Sequence, residues 1–188
     1  MMKKSTVFVV LGLWLAGVSA VAGQTEKKIE QIRKIYDEVN RKVAECTDEG
    51  EYSTTYLIET VVNKNNGQFP AVGIYRPVVR FYYTYGDREK NPYPDRLLKI
   101  EIEISRSDRH ENYEYLFDEN QRLIFFFSKK YEDETLVERR IYLAAEKAFK
   151  IIENEKSVAP TGRSAAVVRQ VLADERKLMT IFRNSLDY

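Results

Sequence analysis

Three glutamates, Glu101, Glu103 and Glu114, are the residues of this chain best placed for acid–base chemistry. Glu101 and Glu103 lie two residues apart in an alternating segment, so both project from the same face of one predicted strand. Glu114 falls in the next predicted strand, which brings two or three carboxyl groups near one another. Paired carboxyls are what glycoside hydrolysis requires. Alternating Lys and Glu also solvate an ordinary sheet face, and we favour this second interpretation.

Tyrosines form the second set of candidate residues. The chain contains 13 of them, and many fall in or beside the predicted strands and the long loop 86–95. A tyrosine offers apolar area with a polar tip and loses little entropy on binding, which suits glycan, peptide or protein recognition. Tyrosine is also a common strand residue without further role. We predict that the ligand-binding residues are Tyr82, Tyr85, Tyr93, Tyr113 and Tyr115.

Nucleophilic and metal chemistry have little support in the sequence. The single cysteine, Cys46, and the single histidine, His110, fall in different predicted elements, whereas a nucleophilic thiol needs a base or cation beside it. One Cys and one His make a zinc site unexpected. Phosphate-loop, dinucleotide-binding and zinc-protease motifs do not occur. We therefore expect neither a metal nor a cofactor.

Strands must position most of these residues. Segments of alternating apolar and polar residues, separated by turn-forming clusters, predict an antiparallel meander of about six or seven strands over 51–152. Residues 97–105 alternate most clearly, and residues 122–128 are apolar on both faces, which is typical of a central strand covered on both sides. We favour a turn over Ala144 to Lys147 followed by a last strand over 149–152, with a helix over 143–154 as the alternative, because Ala144 to Lys147 are good helix formers.

Two amphipathic helices flank the predicted meander. Residues 25–46 repeat apolar side chains every three or four positions, and residues 164–185 do the same, with Ser164 as a suitable N-cap. The fold class is therefore α+β, with the C-terminal helix packed against one face of the sheet. An exposed apolar stripe on that helix would instead suit docking to a partner.

Residues 1–22 have the features of a secretory signal peptide: Lys3 and Lys4, an apolar run, and small residues ending at Ala22. We predict cleavage after Ala22 and a single α+β domain over 23–188, in the periplasm or secreted. The apolar run is too short to span a bilayer, and Cys46 is not placed for lipid attachment or for an internal disulfide. Removal of the two lysines changes the formal charge from +1 to −1, which argues against a nucleic-acid partner.

One hairpin has a resemblance that can be named. The segment Tyr115-Leu-Phe-Asp-Glu-Asn-Gln-Arg-Leu-Ile124 places an aromatic residue, an Asp, turn residues and a Leu in order. In this it resembles the hairpin unit of bacterial YD-type or MORN-like repeats. The resemblance covers this one hairpin. It implies a β-meander but does not imply an activity.

The sequence as a whole predicts an exported, non-enzymatic binding protein. Its partner is unknown and could be a protein, a peptide or a glycan. The tyrosine-rich sheet face and loop 86–95 form the predicted surface. Two alternatives stay open. One is a small carbohydrate-active or other hydrolase that uses Glu101, Glu103 or Glu114, and the other is an envelope-complex component that docks through its C-terminal helix.

Overall fold

Two helices and nine strands make up the part of the chain that the computed structural model describes, which is residues 11–49, 53–70, 73–87, 89–90, 93–94, 96–107, 109–132 and 134–186. The helices are α1 (Leu11–Glu49) and α2 (Gly162–Asn184). The strands are β1 (Thr55–Val61), β2 (Gln68–Phe69), β3 (Gly73–Thr84), β4 (Arg96–Arg106), β5 (Arg109–Phe117), β6 (Leu123–Glu132), β7 (Thr135–Ala144), β8 (Lys147–Glu153) and β9 (Lys156–Val158).

The predicted α+β class and antiparallel sheet are confirmed, but the predicted number of strands is too low. The two additional strands are β2 and β9, which contain two and three residues. Alternation cannot be recognised over so few positions, because it takes at least about four residues to distinguish it from chance. Of the predicted signal peptide, residues 1–10 lie outside the described part, and the side chains of residues 11–22 are not described.

The sheet is an antiparallel meander in the order β1-β3-β4-β5-β6-β7-β8-β9, with β2 also paired to β3. Residues 143–154 form a turn and a strand, as predicted, and not a helix: β7 ends at Ala144 and turns into β8 through Ala145 and Glu146, which have φ angles of 48° and 60°. Two successive positive φ angles define the type I′ turn that matches the twist of paired strands. Pairing across the sheet therefore outweighs the helix propensity of these residues.

Each helix covers its own face of the sheet, and the two faces have separate cores. On one face α2 buries Val168, Val171, Leu178 and Met179 against strand residues that include Phe81, Ile100, Tyr115 and Ile141. On the other face α1 buries Ile29, Ile32 and Val39 against Leu98, Leu116, Phe125 and Tyr142. The central strand β6 contributes to both cores, which confirms its predicted double coverage.

Helix α1 crosses the strands instead of running along one of them. The ammonium of Lys28 lies 5.9 Å from the ring centre of Phe149 on β8. Further along the helix, Tyr36 donates a hydrogen bond to Glu114 on β5, and Asn40 accepts one from Lys99 on β4. Over their described residues, neither helix is long and apolar enough to cross a membrane.

Candidate ligand-binding cleft

A cleft of about 610 Å³ lies between α1 and the sheet, and we refer to it as the α1 cleft. This volume falls in the range of about 300–1,000 Å³ that is usual for small-molecule sites. The lining residues are Ile32, Arg33, Tyr36, Glu114, Phe125, Phe127, Arg140, Tyr142 and Ile152.

The register of the sheet explains why an opening lies here. Register partners on successive strands share a face and form rows across the sheet. One row contains Lys99, Leu116, Phe125 and Tyr142, and α1 packs over much of it. The next row contains Glu101, Glu114, Phe127, Arg140 and Ile152. Because α1 covers the first row more fully than the second, the second row forms the wall of an open cleft.

The floor of the cleft is aromatic. The rings of Tyr36 and Phe125 meet edge to face at 5.5 Å between centres, and those of Phe125 and Tyr142 lie 5.1 Å apart. Phe127 is half-buried in the second row. Aromatic rings present large apolar surfaces with few rotatable bonds, so this floor suits the apolar body of a small ligand.

The inner end of the cleft is a buried polar cluster around Lys99, which is 2% exposed. Its ammonium lies 2.7 Å from Glu101 Oε1 and 3.1 Å from Glu114 Oε2, and it donates a hydrogen bond of 2.8 Å to Asn40 Oδ1. Burial lowers the pKa of Lys99, but the two carboxylates outweigh it and raise that pKa overall. Lys99 is therefore a cation at any physiological pH.

Tyr36 completes this cluster from the helix side. Its hydroxyl donates to Glu114 Oε2 at 2.8 Å. Burial raises the pKa of Tyr36, and the neighbouring carboxylate of Glu114 adds to that effect. The hydroxyl thus remains a donor, and Glu114 accepts from both Tyr36 and Lys99.

Two guanidinium groups also line the cleft, one on the sheet and one on the helix. Arg140 on β7 is half-buried, with its guanidinium carbon 5.7 Å from the ring centre of Phe127 and Nη2 2.5 Å from Glu138 Oε1. Arg33 on α1 is exposed. Among the residues that the structure describes, no carboxylate forms an ion pair with Arg33. The cleft is therefore lined by one electrically compensated acidic group, Glu114, and by two guanidinium groups.

The three glutamates considered for catalysis are all paired with cations. Glu101 and Glu114 are register partners and share Lys99. Glu103 lies elsewhere, 3.0 Å from Arg80 Nη1. Glycoside hydrolysis needs two carboxyls that flank a bond in a substrate site. The observed arrangement is instead that of ion pairs that link neighbouring strands.

The five tyrosines predicted to bind ligand do not share one surface. Tyr82 lies on the α1 face, whereas Tyr115 lies in the core under α2, and each is 4% exposed. The hydroxyl of Tyr82 donates to Glu101 at 3.3 Å. Tyr85 packs edge to face on Tyr56, and Tyr93 in the long loop is 62% exposed.

The structure does bring Tyr113 and Tyr115 together. They line a cleft of about 400 Å³ beside α2, with Leu178 and Ile181 on its helix side. The hydroxyl of Tyr113 donates to Glu111 at 2.6 Å, so its polar tip is already bound within the chain. Tyr93 lines a different cleft, of about 280 Å³, near Phe182.

The apolar stripe of α2 is covered by the chain's own sheet. Val168, Val171, Leu178 and Phe182 are buried, and Ile181 at the margin of the stripe is 44% exposed. The face of this helix that a partner would recognise is therefore largely occupied in the structure.

The remaining candidates for chemistry lie apart from one another. Cys46 is near the end of α1, and burial raises the pKa of its thiol, which disfavours the reactive thiolate. His110 is exposed, with Nδ1 3.4 Å from Ser105 Oγ. Within the described ranges, no group of three His, Cys, Asp or Glu side chains is arranged to hold a metal ion.

Sequence reasoning missed Arg33, Tyr36 and Lys99 as residues of a site. Tyr36 occupies an apolar position in the helical pattern of residues 25–46, and Lys99 alternates with glutamates in a pattern typical of a solvated sheet face. The available signal was the strand 122–128, whose two apolar faces require a cover on each side. On one face this cover is α1, and the cleft lies where α1 leaves part of the sheet uncovered.

Comparisons of the chain with known protein families, with curated proteins and with solved structures find no match. No activity can be transferred from a relative. The function has to be inferred from the chemistry of the site itself.

Proposed function

We propose that this protein is a non-enzymatic binding protein that holds a small organic molecule with an apolar body in the α1 cleft. The observation that carries the proposal is the cleft itself: about 610 Å³, with an aromatic floor and a few polar groups in its lining. A large apolar pocket with a few convergent polar groups is the usual form of a ligand site.

Two observations favour binding over catalysis. The acidic group in the lining, Glu114, is held by Lys99 and Tyr36, so it is not available as a free acid or base. Cys46 and His110 are not among the residues that line the cleft. The α1 cleft therefore offers surface and charge for recognition, without an activated nucleophile.

The α1 cleft is also a better candidate than the tyrosine surface predicted from the sequence. Tyr82 and Tyr115 are almost fully buried on opposite faces of the sheet, so one ligand cannot contact both. We retain the predicted export of the protein, which rests on residues 1–22, and place the binding function outside the cytosol.

A neutral fluorescent dye tests the proposal. N-phenyl-1-naphthylamine fluoresces more strongly in an apolar environment, and we expect saturable binding at one site per chain. The variant Ile152→Trp fills the α1 cleft and should abolish this binding. Its matched control, Ile181→Trp, makes the same change in the cleft beside α2 and should leave the binding unaltered.

Circular dichroism and thermal unfolding must show that both variants are folded. If Ile152→Trp does not fold, Phe127→Leu serves as a milder change that removes part of the aromatic floor and should weaken binding. Absence of saturable binding to the unaltered protein overturns the proposal. Loss of binding in Ile181→Trp, with none in the α1-cleft variants, does so as well.

A further inference from the structure

We infer that the ligand of the α1 cleft is an organic anion, with a carboxylate or sulfonate group attached to its apolar body. This inference rests on the proposed function and adds the charge of the ligand to it. It is carried by the positions of Arg33 and Arg140 on opposite walls of one cleft, the first on α1 and the second on β7. Guanidinium groups bind planar anions through two parallel hydrogen bonds.

The two arginines face each other across the cleft. Helix α1 passes over β8 at Lys28 and reaches β5 at Tyr36, so Arg33 lies between these points, over the intervening strands β6 and β7. Arg140 is on β7 itself. An anionic group bound between them would leave the rest of the ligand over the ring of Phe127.

Among the described residues, no carboxylate forms an ion pair with Arg33. The adjacent Lys34, by contrast, pairs with Glu30 four residues earlier, and Arg41 and Lys42 also pair at a spacing of four. Asp37 lies four residues after Arg33, a spacing that permits an ion pair. None forms between them among the described contacts, and Arg33 lines the cleft instead.

Arg140 retains donors for a ligand although it is paired with Glu138. A guanidinium group carries five N–H donors, and the contact to Glu138 is made by Nη2. The ring of Phe127 beneath it, at 5.7 Å, holds the group in place without using a donor.

The acid in the lining does not oppose this assignment. Glu114 accepts hydrogen bonds from Lys99 and Tyr36, which compensate its charge. It is also two strands away from Arg140, and strands are spaced by about 4.8 Å, so roughly 10 Å separates their backbones. Glu114 therefore does not neutralise Arg140, and its own charge is already compensated within the chain.

A matched pair of dyes tests the charge of the ligand. 8-Anilinonaphthalene-1-sulfonate has the same ring system as N-phenyl-1-naphthylamine and differs by its sulfonate. We expect the anionic dye to bind about tenfold more tightly than the neutral dye, as charge-assisted hydrogen bonds imply. This ratio should decrease as the salt concentration rises.

Arg33→Gln should remove most of the preference for the anionic dye, so that the affinity for the anionic dye falls much more than the affinity for the neutral dye. The control Lys34→Gln removes the same charge from the adjacent helix position, where the side chain pairs with Glu30, and should alter neither affinity.

The outcomes separate the two proposals. If the neutral dye binds but the anionic dye binds no more tightly, or if both variants reduce anion binding equally, the ligand's charge is wrongly assigned and the binding function stands. If neither dye binds saturably, both proposals are overturned.

Discussion

Replacement of Lys99 by Met tests how α1 is held on the sheet and how the inner end of the α1 cleft is neutralised. Lys99 is almost fully buried, lies 2.7 Å from Glu101 and 3.1 Å from Glu114, and donates to Asn40 of the helix. Met keeps most of the length and volume of the lysine side chain without its charge. The change therefore removes the ion pairs and leaves the packing nearly intact.

We expect this variant to lose about 3 kcal/mol of unfolding free energy. Removal of one partner from a buried ion pair costs about 3–5 kcal/mol, because the remaining charge is left uncompensated. Glu101 and Glu114 keep 23% and 21% of their side-chain surface exposed, so water stabilises them in part and the lower end of the range applies. Tyr36 also continues to donate to Glu114.

The effect has a defined dependence on pH. The carboxylates raise the pKa of Lys99 above its ordinary value despite burial. The stabilisation from a cation with a raised pKa is fully present below the ordinary lysine pKa and is lost only as the pH rises through the folded-state value. The difference between the two proteins should therefore be the same at pH 7 and pH 9.

Urea unfolding followed by circular dichroism measures the loss. Addition of Glu114→Gln to Lys99→Met should recover more than about 1 kcal/mol, because it removes one of the stranded charges. The control Lys34→Met, at an exposed position paired with Glu30, should change stability by less than about 0.5 kcal/mol. A loss below about 1 kcal/mol for Lys99→Met, or a loss equal to that of the control, would refute the reasoning.

Three further predictions concern other parts of the chain. Glu155→Gly should raise unfolding free energy by about 1 kcal/mol in urea titrations, because Glu155 has φ 67°; a decrease would show that the turn is not strained. Burial raises the pKa of Glu175, which penalises its ionised form in the folded state. Glu175→Gln should therefore increase stability at pH 7, with the gain lost below the ordinary carboxyl pKa, and a pH-independent effect would contradict this cause. Mass spectrometry of the exported protein should find Gly23 as the first residue, and Ala22→Asp should block processing; retention of Met1 in the exported protein would exclude cleavage.

Local patterns were sufficient to predict the main elements. The period of three to four residues in α1 and the period of two in β4 are both visible because each extends over several repeats. The strand β8 was harder to predict from the sequence. The residues before it, Ala145 and Glu146, favour a helix but adopt positive φ angles in a type I′ turn. Pairing between β7 and β8 determines the conformation of this segment. Helix propensity, which depends on each residue alone, does not contain this information.

The predicted tyrosines lie on both faces of the sheet, and this has a different physical reason. Alternation shows which residues of one strand share a face, but the faces of two strands can be compared only when the register is known. The register also shifts within the sheet: Tyr82 pairs with Lys99 and Tyr83 with Leu97, which leaves Leu98 of β4 as the extra residue of a bulge. Counting in twos across this bulge assigns Leu97 and Leu98 to the wrong faces, because Leu97 shares a core with Ile100 whereas Leu98 packs against α1.

The α1 cleft depends on a quantity that no sequence period contains, which is the angle between α1 and the strands. The helical stripe Ile29, Ile32 and Val39 indicates that α1 packs on the sheet, but not that it crosses from β8 toward β4. The crossing buries Lys99, a residue that alternation places on a solvated face. A lysine buried in this way requires carboxylates on the same face, and Glu101 and Glu114 provide them. Glu101 and Glu114, which suggested an acid–base pair in the sequence, therefore serve to neutralise the lysine that the crossing helix buries.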